Sequence, residues 1–430
     1  SPRTVVIREG RLEAIARRGD ARGAIVVDLA PRDGRAHPVV CPAFIDIHAH
    51  LREPGDPAAE TIASGALAAA AGGFGQVVAM ANTKPPIDSP AEVQRARRRS
   101  GEAAVRVLSS AAVTKGLDGT ELVDIAACAA AGASAFTDDG RNAIAPRLLT
   151  EAIARAADVG LPVLVHPEDE VMIAAANPGA TNVTRCSFRP AASEVAAVEN
   201  AIRALVAAGR GRLHLQHVSA AGSVESLRVA RQAGLAVTAE VTPHHLAMWR
   251  PFDIEASPPA LAKVNPPLRG ELDRVAVVQA LREGVIDCVA TDHAPQVPAD
   301  KSWGYDDAAP GFVGLETALA TCITLGAMGG EWLPVLVDRM TAGPWRVLGA
   351  RAGLVEPRLR IGAPATLTVF DEVSRWTVGK RRFQSLSTNT PLGGTRVRGR
   401  VLLTVVDGRV AYVDDDERMK ALRGEVEAHA

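Results

Sequence analysis

The chain has almost no net charge, few cysteines and no long apolar run, and each shortage removes a class of function. Lys and Arg number 48 against 49 Asp and Glu, a formal charge of -1 over 430 residues. Neither nucleic acid nor an anionic membrane surface finds the basic excess it needs in that balance. The five cysteines, Cys41, Cys128, Cys186, Cys288 and Cys322, are odd in number, scattered and never spaced C-x-x-C. This supports neither a disulfide framework nor a cysteine zinc site, and a reducing cytoplasm is the expected compartment. The N-terminus lacks a basic segment followed by an apolar core. The most apolar helical stretch, Thr317 to Met328, is too short and too rich in Thr and Gly to span a bilayer, so it reads as a packed helix. No G-x-S-x-G and no cysteine in a nucleophile setting appear, so hydrolysis here would need another source of nucleophile.

What is present is an ordinary globular chain with 47% apolar residues, longer than a single core usually grows. Residues 1–43 read as short β-segments, TVVI at Thr4 to Ile7 and AIVVDL at Ala24 to Leu29. From Phe44 the pattern turns to eight short apolar strands separated by Ala-rich helical stretches. They are FIDI (Phe44 to Ile47), QVVAM (Gln76 to Met80), VRVLSSAAV (Val105 to Val113), ASAFT (Ala133 to Thr137), PVLVH (Pro162 to His166), RLHLQH (Arg212 to His217), LAVTAEV (Leu235 to Val241) and DCVAT (Asp287 to Thr291). Repeated βα units of this kind predict an α/β fold built as a closed (β/α)8 TIM-like barrel over residues 44–348. An open doubly wound sheet competes, but no G-x-G-x-x-G follows the first strand. Beyond about residue 350 the sequence reads as β again, with Asp407-Gly408 a hairpin turn between RVLLTVV and RVAYV. Residues 1–43 and 349–430 are therefore expected to form one small β-sandwich domain from both chain ends. The basic run Arg95, Arg97, Arg98, Arg99 reads as a solvated helix end.

Metal-binding side chains recur at the ends of these strands. His48 and His50 follow the first, Asp138 and Asp139 the fourth, His166 closes the fifth, His217 the sixth, and Asp292 follows the eighth. In a barrel all of these ends face one mouth. Each residue alone has an ordinary reading as a cap or turn; four histidines with carboxylates at five strand ends do not. His214 has the opposite strand parity to His217, so it is expected to point away and to be structural. A tetrahedral zinc takes three protein ligands, so six ligands suit a pair of divalent ions about 3.5–4 Å apart, which lowers the pKa of bound water to about 7.

The motifs FIDIHAHLREPG (Phe44 to Gly55), MANTKPPID (Met80 to Asp88), AFTDDG (Ala135 to Gly140), TPHHL (Thr242 to Leu246), KVNPPLR (Lys263 to Arg269), TDHAP (Thr291 to Pro295), GLETAL (Gly314 to Leu319) and LSTNTPLGG (Leu386 to Gly394) together resemble the dihydroorotases of the amidohydrolase superfamily. The aspartate pair after AFT is similar to the class I bacterial type, where an aspartate stands in place of a carboxylated lysine. The resemblance implies a reversible hydrolysis of dihydroorotate to N-carbamoyl-aspartate in pyrimidine biosynthesis, by a metal-bridged hydroxide. It further implies that His48, His50 and Asp292 hold one ion, His166 and His217 the other, and Asp139 bridges them, with Asp138 the fallback; zinc is the expected metal. Asp292 would also carry the proton to the departing ring nitrogen. Arg52, Asn82 and Asn265 match the family's contacts to the substrate carboxylate, with Arg52 expected on the face of His50.

Two departures stand out. Gln296 occupies the place of a substrate-touching histidine, and Ala309-Pro310-Gly311 replaces Pro-Phe-Gly, so altered substrate binding is expected with the metal ligands intact. Another cyclic amidase, of hydantoinase or allantoinase type, is the alternative within enzymes. A low-activity subunit that scaffolds aspartate transcarbamoylase is the alternative outside them. A homo-oligomer is expected, with aspartate transcarbamoylase a possible partner.

Overall fold

A computed structural model of the chain describes residues 4–16, 38–141, 144–249, 259–324, 326–415, 419, 420 and 422. The strands Thr4–Arg8 (β1) and Arg11–Ala16 (β2) form an antiparallel hairpin, and Val39–Pro42 (β3) follows. The expected strand AIVVDL lies outside the described residues. Then come Phe44–Ala49 (β4), Phe74–Ala79 (β5), Arg106–Ser109 (β6), Phe136–Thr137 (β7), Val163–Val165 (β8), Leu213–Leu215 (β9), Val237–Val241 (β10) and Cys288–Val289 (β11). Each overlaps one of the eight apolar segments, and helices separate them.

Strands β4 to β6 form one parallel sheet and β7 to β11 another. Single parallel bridges join the two sheets at both flanks, Ala111 to Phe136 and Ala49 to His293. Backbone hydrogen bonds reinforce these seams: Thr137 N donates to Ala111 O at 2.8 Å, His50 N to His293 O at 2.8 Å, and Asp292 N to His48 O at 3.0 Å. All six residues of β4 are buried, and alternation puts Ile45 and Ile47 on one face and Asp46 and His48 on the other. Asp46 fixes the second seam, accepting from the Thr291 backbone at 3.0 Å and from its hydroxyl at 2.5 Å.

Small side chains let the flanking helices close on the sheets. The helix Ile62–Ala71, six of whose ten residues are alanine, starts at a reciprocal Thr61–Ser64 capping box. The helix Ala342–Leu348 brings Gly343 so close to β11 that an added Cβ would lie 2.4 Å from Asp287 O. Arg97, Arg98 and Arg99 are exposed in the last turn of Pro90–Arg99, where positive charge suits the helix dipole. Thr317 to Met328 resolves into the buried helix Ala318–Thr324 and the turns beside it. Among the described residues no helix is long and apolar enough to cross a membrane. All five cysteines are buried and unpaired.

The chain ends meet in one antiparallel sheet. Leu367–Thr377 (β12), Arg396–Val406 (β13) and Arg409–Val413 (β14) follow the last helix, and β3 from the other end pairs with β12. Asp407 and Gly408 turn β13 into β14 with φ of 47° and 84°, the two left-handed positions that a primed hairpin turn requires. One face of this sheet sends Phe370, Val401 and Val406 into the main core, where the Phe44 ring lies 6.0 Å from that of Phe370. The other face buries Leu367, Val369, Leu402 and Val405 in a small cluster with Val5 and Ile7 of β1 packed on it.

Gly343→Ala should push the last helix off β11. Because the obstacle is backbone, we expect a loss of order 1–3 kcal/mol, read as a lower thermal midpoint; an unchanged midpoint would contradict this packing.

Candidate metal centre

The polar strand ends converge because the backbone leaves strand geometry where they begin. Among the described non-glycine residues only seven have positive φ, and three are Arg52 (56°), His217 (31°) and Asp292 (48°). A left-handed backbone is costly for such residues and is concentrated at functional sites. Here it turns His217 and Asp292 inward just past the ends of β9 and β11.

His48 and His50 present their Nε2 atoms to Asp292. The His48 Nδ1–H donates to Glu240 Oε1 at 2.6 Å, and the His50 Nδ1–H donates to Asn82 Oδ1 at 3.0 Å. Held through Nδ1–H, each ring aims its Nε2 inward, the atom that would bind a cation. Asp292 Oδ1 stands 3.0 Å from His50 Nε2 and 3.5 Å from His48 Nε2. Asp139 faces the same atoms, its Oδ1 3.3 Å from His48 Nε2 and its Oδ2 3.5 Å from His50 Nε2. Ligands held about 2.0–2.2 Å from one tetrahedral ion stand about 3.3–3.5 Å from each other, the spacing of three of these four pairs; His50 Nε2 and Asp292 Oδ1 are closer, at hydrogen-bond distance.

Asp139 Oδ1 also looks the other way. It lies 3.7 Å from His166 Nδ1 and 3.8 Å from His217 Nε2, and the rings of His166 and His217 are 4.6 Å apart. His166 Nε2 is occupied by Glu168 at 2.9 Å, and Arg189 grips that carboxylate through Nε and Nη2. His48 Nε2, Asp139 Oδ1 and His166 Nδ1 are buried without a hydrogen-bond partner; His217 Nδ1 is too, but the His217 nitrogen that faces Asp139 is Nε2. Buried polar atoms are rarely left so, and nitrogen and carboxylate donors pointing at a common centre fit a divalent cation.

The charges agree. Burial pulls the His48 imidazole down, yet the carboxylates of Asp139, Glu240 and Asp292 hold its pKa well above the ordinary range. Burial likewise opposes a proton on His166, but Asp139 and Glu168 raise it to about 9. Burial disfavours the Asp139 carboxylate, and the imidazoles of His48, His166 and His217 nevertheless keep it ionised, far below the usual range. Asp292 is lowered in the same way by His48 and His50, against burial.

The remaining expected residues divide. Asp138 accepts from the Val113 and Thr114 backbone at 2.7 and 3.1 Å, so it anchors a loop while Asp139 faces the imidazoles. Asn82 steadies the centre itself, its amide donating to Asp139 Oδ2 at 3.2 Å. Arg52 does not continue a strand: β4 has ended, and its Nε donates to Pro295 O at 3.0 Å beside the loop after Asp292. Asn265 donates to Thr184 O at 2.8 Å and keeps a buried Oδ1 without a partner, so it offers an acceptor where a carboxylate contact was expected. Gln296 donates to Pro310 O at 2.8 Å.

His214 corrects the parity argument. Its Nε2 reaches Glu240 Oε2 at 3.1 Å, on the carboxylate that orients His48, because the left-handed turn at His217 breaks the alternation the argument assumed. Sequence reasoning missed Glu240 and Glu168 altogether. Glu168 had a signal, lying two residues beyond His166; Glu240 sits inside an apolar strand with none.

The chain matches the family model described as Dihydro-orotase-like over residues 37–211. It is 41% identical to a dihydroorotase of Anaeromyxobacter dehalogenans, covering 96% of this chain and 94% of that protein. With a dihydroorotase of Aquifex aeolicus it shares 37% identity over 87% of this chain and 88% of that one. Among solved structures it superposes on the L-hydantoinase (dihydropyrimidinase) of Arthrobacter aurescens with a TM-score of 0.78 and 25% identity, covering 94% of this chain and 91% of the other.

Two outcomes follow from the geometry. In the ion-free chain at pH 7 the raised His48 and His166 both carry protons that a cation must displace, so affinity should rise with pH toward about 9. Calorimetry in buffers of different ionisation enthalpy should show proton release; pH-independent affinity with no release would contradict the assignment. Glu240→Gln keeps the shape but removes the charge on His48, and should weaken cation binding about 10- to 100-fold, read by competition with a chelator.

Proposed function

The chain belongs to the dihydroorotase family, and on that premise we propose that it hydrolyses the cyclic amide of dihydroorotate, reversibly, to N-carbamoyl-aspartate. It is a metal-dependent cyclic amidohydrolase. The observation that carries the reading is the group of buried, partnerless nitrogen and oxygen atoms around Asp139.

His48, His50 and Asp292 would hold one divalent ion, His166 and His217 a second, with Asp139 between them, and zinc suits this mixture of imidazole and carboxylate. Bound there, such ions supply Lewis acidity and water acidified to a pKa of about 7. Asp292 is the proton carrier: its carboxylate is ionised and buried at the mouth. It accepts the proton released as water oxygen bonds to the ring carbonyl carbon, then gives it to the ring nitrogen as the carbon–nitrogen bond breaks. Arg52 has the planar fork that suits the substrate carboxylate.

We read the two parallel sheets as one (β/α)8 barrel over residues 44–348, supported by the bridges at both seams. Residues 1–43 and 349–430 would then form a separate β domain, supported by the pairing of β3 with β12. A hydantoinase-like substrate is the second reading, favoured by Gln296 and by the resemblance in fold to L-hydantoinase.

Hydrolysis assays with dihydroorotate, hydantoin and allantoin separate these readings. We expect turnover of dihydroorotate, its loss on chelation and its return on adding zinc. Asp292→Asn should drop turnover by at least about 10³-fold while ions stay bound through the imidazoles. Preference for hydantoin would favour the second reading, and an active Asp292→Asn would remove the proton role.

A further inference from the structure

Two buried lysines, Lys263 and Lys301, have no part in the chemistry above, and among the described residues neither forms an ion pair. Lys263 is 2% exposed and Lys301 8%. A buried ammonium without a carboxylate is expensive, so what each one touches is informative. Lys263 Nζ donates to Arg185 O at 2.8 Å and to Asp306 O at 2.7 Å. Lys301 Nζ donates to Ala260 O at 3.2 Å and to Lys263 O at 3.3 Å. Burial and, for Lys301, the charge of Lys263 pull their pKa values down to about 8 and about 7. The arrangement is held at a cost.

The acceptors belong to three segments that follow β8, β10 and β11 in the chain. Residues 183–185 are pinned by Lys263, residues 259–266 carry Lys263 and Asn265, and residues 296–311 carry Gln296. Further bonds bind the same three: Asn265 Nδ2 to Thr184 O at 2.8 Å, Arg185 Nη1 to Asp307 O at 3.2 Å, Gly311 N to Lys263 O at 2.8 Å, and Gln296 Nε2 to Pro310 O at 2.8 Å. The order of dependence is visible in these contacts. Lys263 fixes the carbonyl of Arg185; the neighbouring carbonyl of Thr184 fixes the amide of Asn265; that orientation leaves Asn265 Oδ1 buried without a partner. An unsatisfied acceptor calls for an N–H donor, and the ring of a cyclic ureide carries one.

We propose that Lys263 is a positioning residue for substrate: its ammonium ties residues 185 and 306 together so that Asn265 presents its side-chain carbonyl to a ring N–H. This rests on the reading of the chain as a cyclic ureide hydrolase. Backbone carbonyls as acceptors explain why a lysine serves here: three donors on a flexible stem reach two strands of chain at once. The effect belongs to binding, because none of these groups touches Asp139 or Asp292.

Steady-state kinetics with dihydroorotate test it. Lys263→Met should raise KM about tenfold and leave kcat within about twofold, with metal content unchanged. Asn265→Ala should also raise KM, and the double variant should be no worse than the worse single, since one residue acts through the other. Penalties that multiply, a KM unchanged in Lys263→Met, or a loss confined to kcat would overturn the proposal. If Lys263→Met does not fold, Lys263→Gln, which keeps one donor group, should show the same KM rise and the same non-additivity. An inactive wild type would sink the functional reading and this inference with it; an active wild type with an indifferent Lys263→Met would sink the inference alone.

Discussion

Asp139 Oδ1 is the atom on which the rest of the structure depends. Imidazole nitrogens of His48, His166 and His217 lie 3.3, 3.7 and 3.8 Å from it, too far for a good hydrogen bond from any of them. Without a cation, the cluster stores buried polar atoms whose desolvation nothing repays. A divalent cation held there would take up the nitrogen and oxygen donors that face Asp139. The protein folds around an interaction that its own side chains leave incomplete.

Holding that geometry takes a layer of carboxylates and amides behind the imidazoles. Glu240 orients His48 and bonds His214, Glu168 orients His166 and is itself held by Arg189, and Asn82 spans His50 and Asp139. Each fixes a tautomer and a ring direction at once. Asp46 does comparable work on the backbone, drawing Thr291 against His48 so that β4 and the segment after β11 share a seam. Strain at His217 and Asp292 is accepted in return for aim.

Much of this was legible in the sequence. The eight apolar segments mark the eight parallel strands, Asp407-Gly408 marks its hairpin, and the strand-end residues His48, His50, Asp139, His166, His217 and Asp292 do converge. What failed was extrapolation of strand parity past the last ladder bond. Arg52, His217 and Asp292 have left-handed backbones, so side-chain direction there follows the turn and not the alternation. Glu240 was invisible for a different reason: a single carboxylate within an apolar strand has no local pattern, and its purpose appears only when His48, 192 residues away, arrives beside it. Asp139 is preferred to Asp138 on the resemblance alone; the physical reason for the division is the Thr114 loop, which captures Asp138 and leaves Asp139 facing the imidazoles.

The most direct test is anomalous X-ray diffraction at the zinc absorption edge from crystals of the zinc-loaded chain. The account predicts two peaks about 3.5–4 Å apart, one among His48, His50 and Asp292, the other between His166 and His217, with Asp139 touching both. No peak there in well-ordered crystals, or zinc held only among His214, Glu240 and Cys288 behind His48, would contradict it.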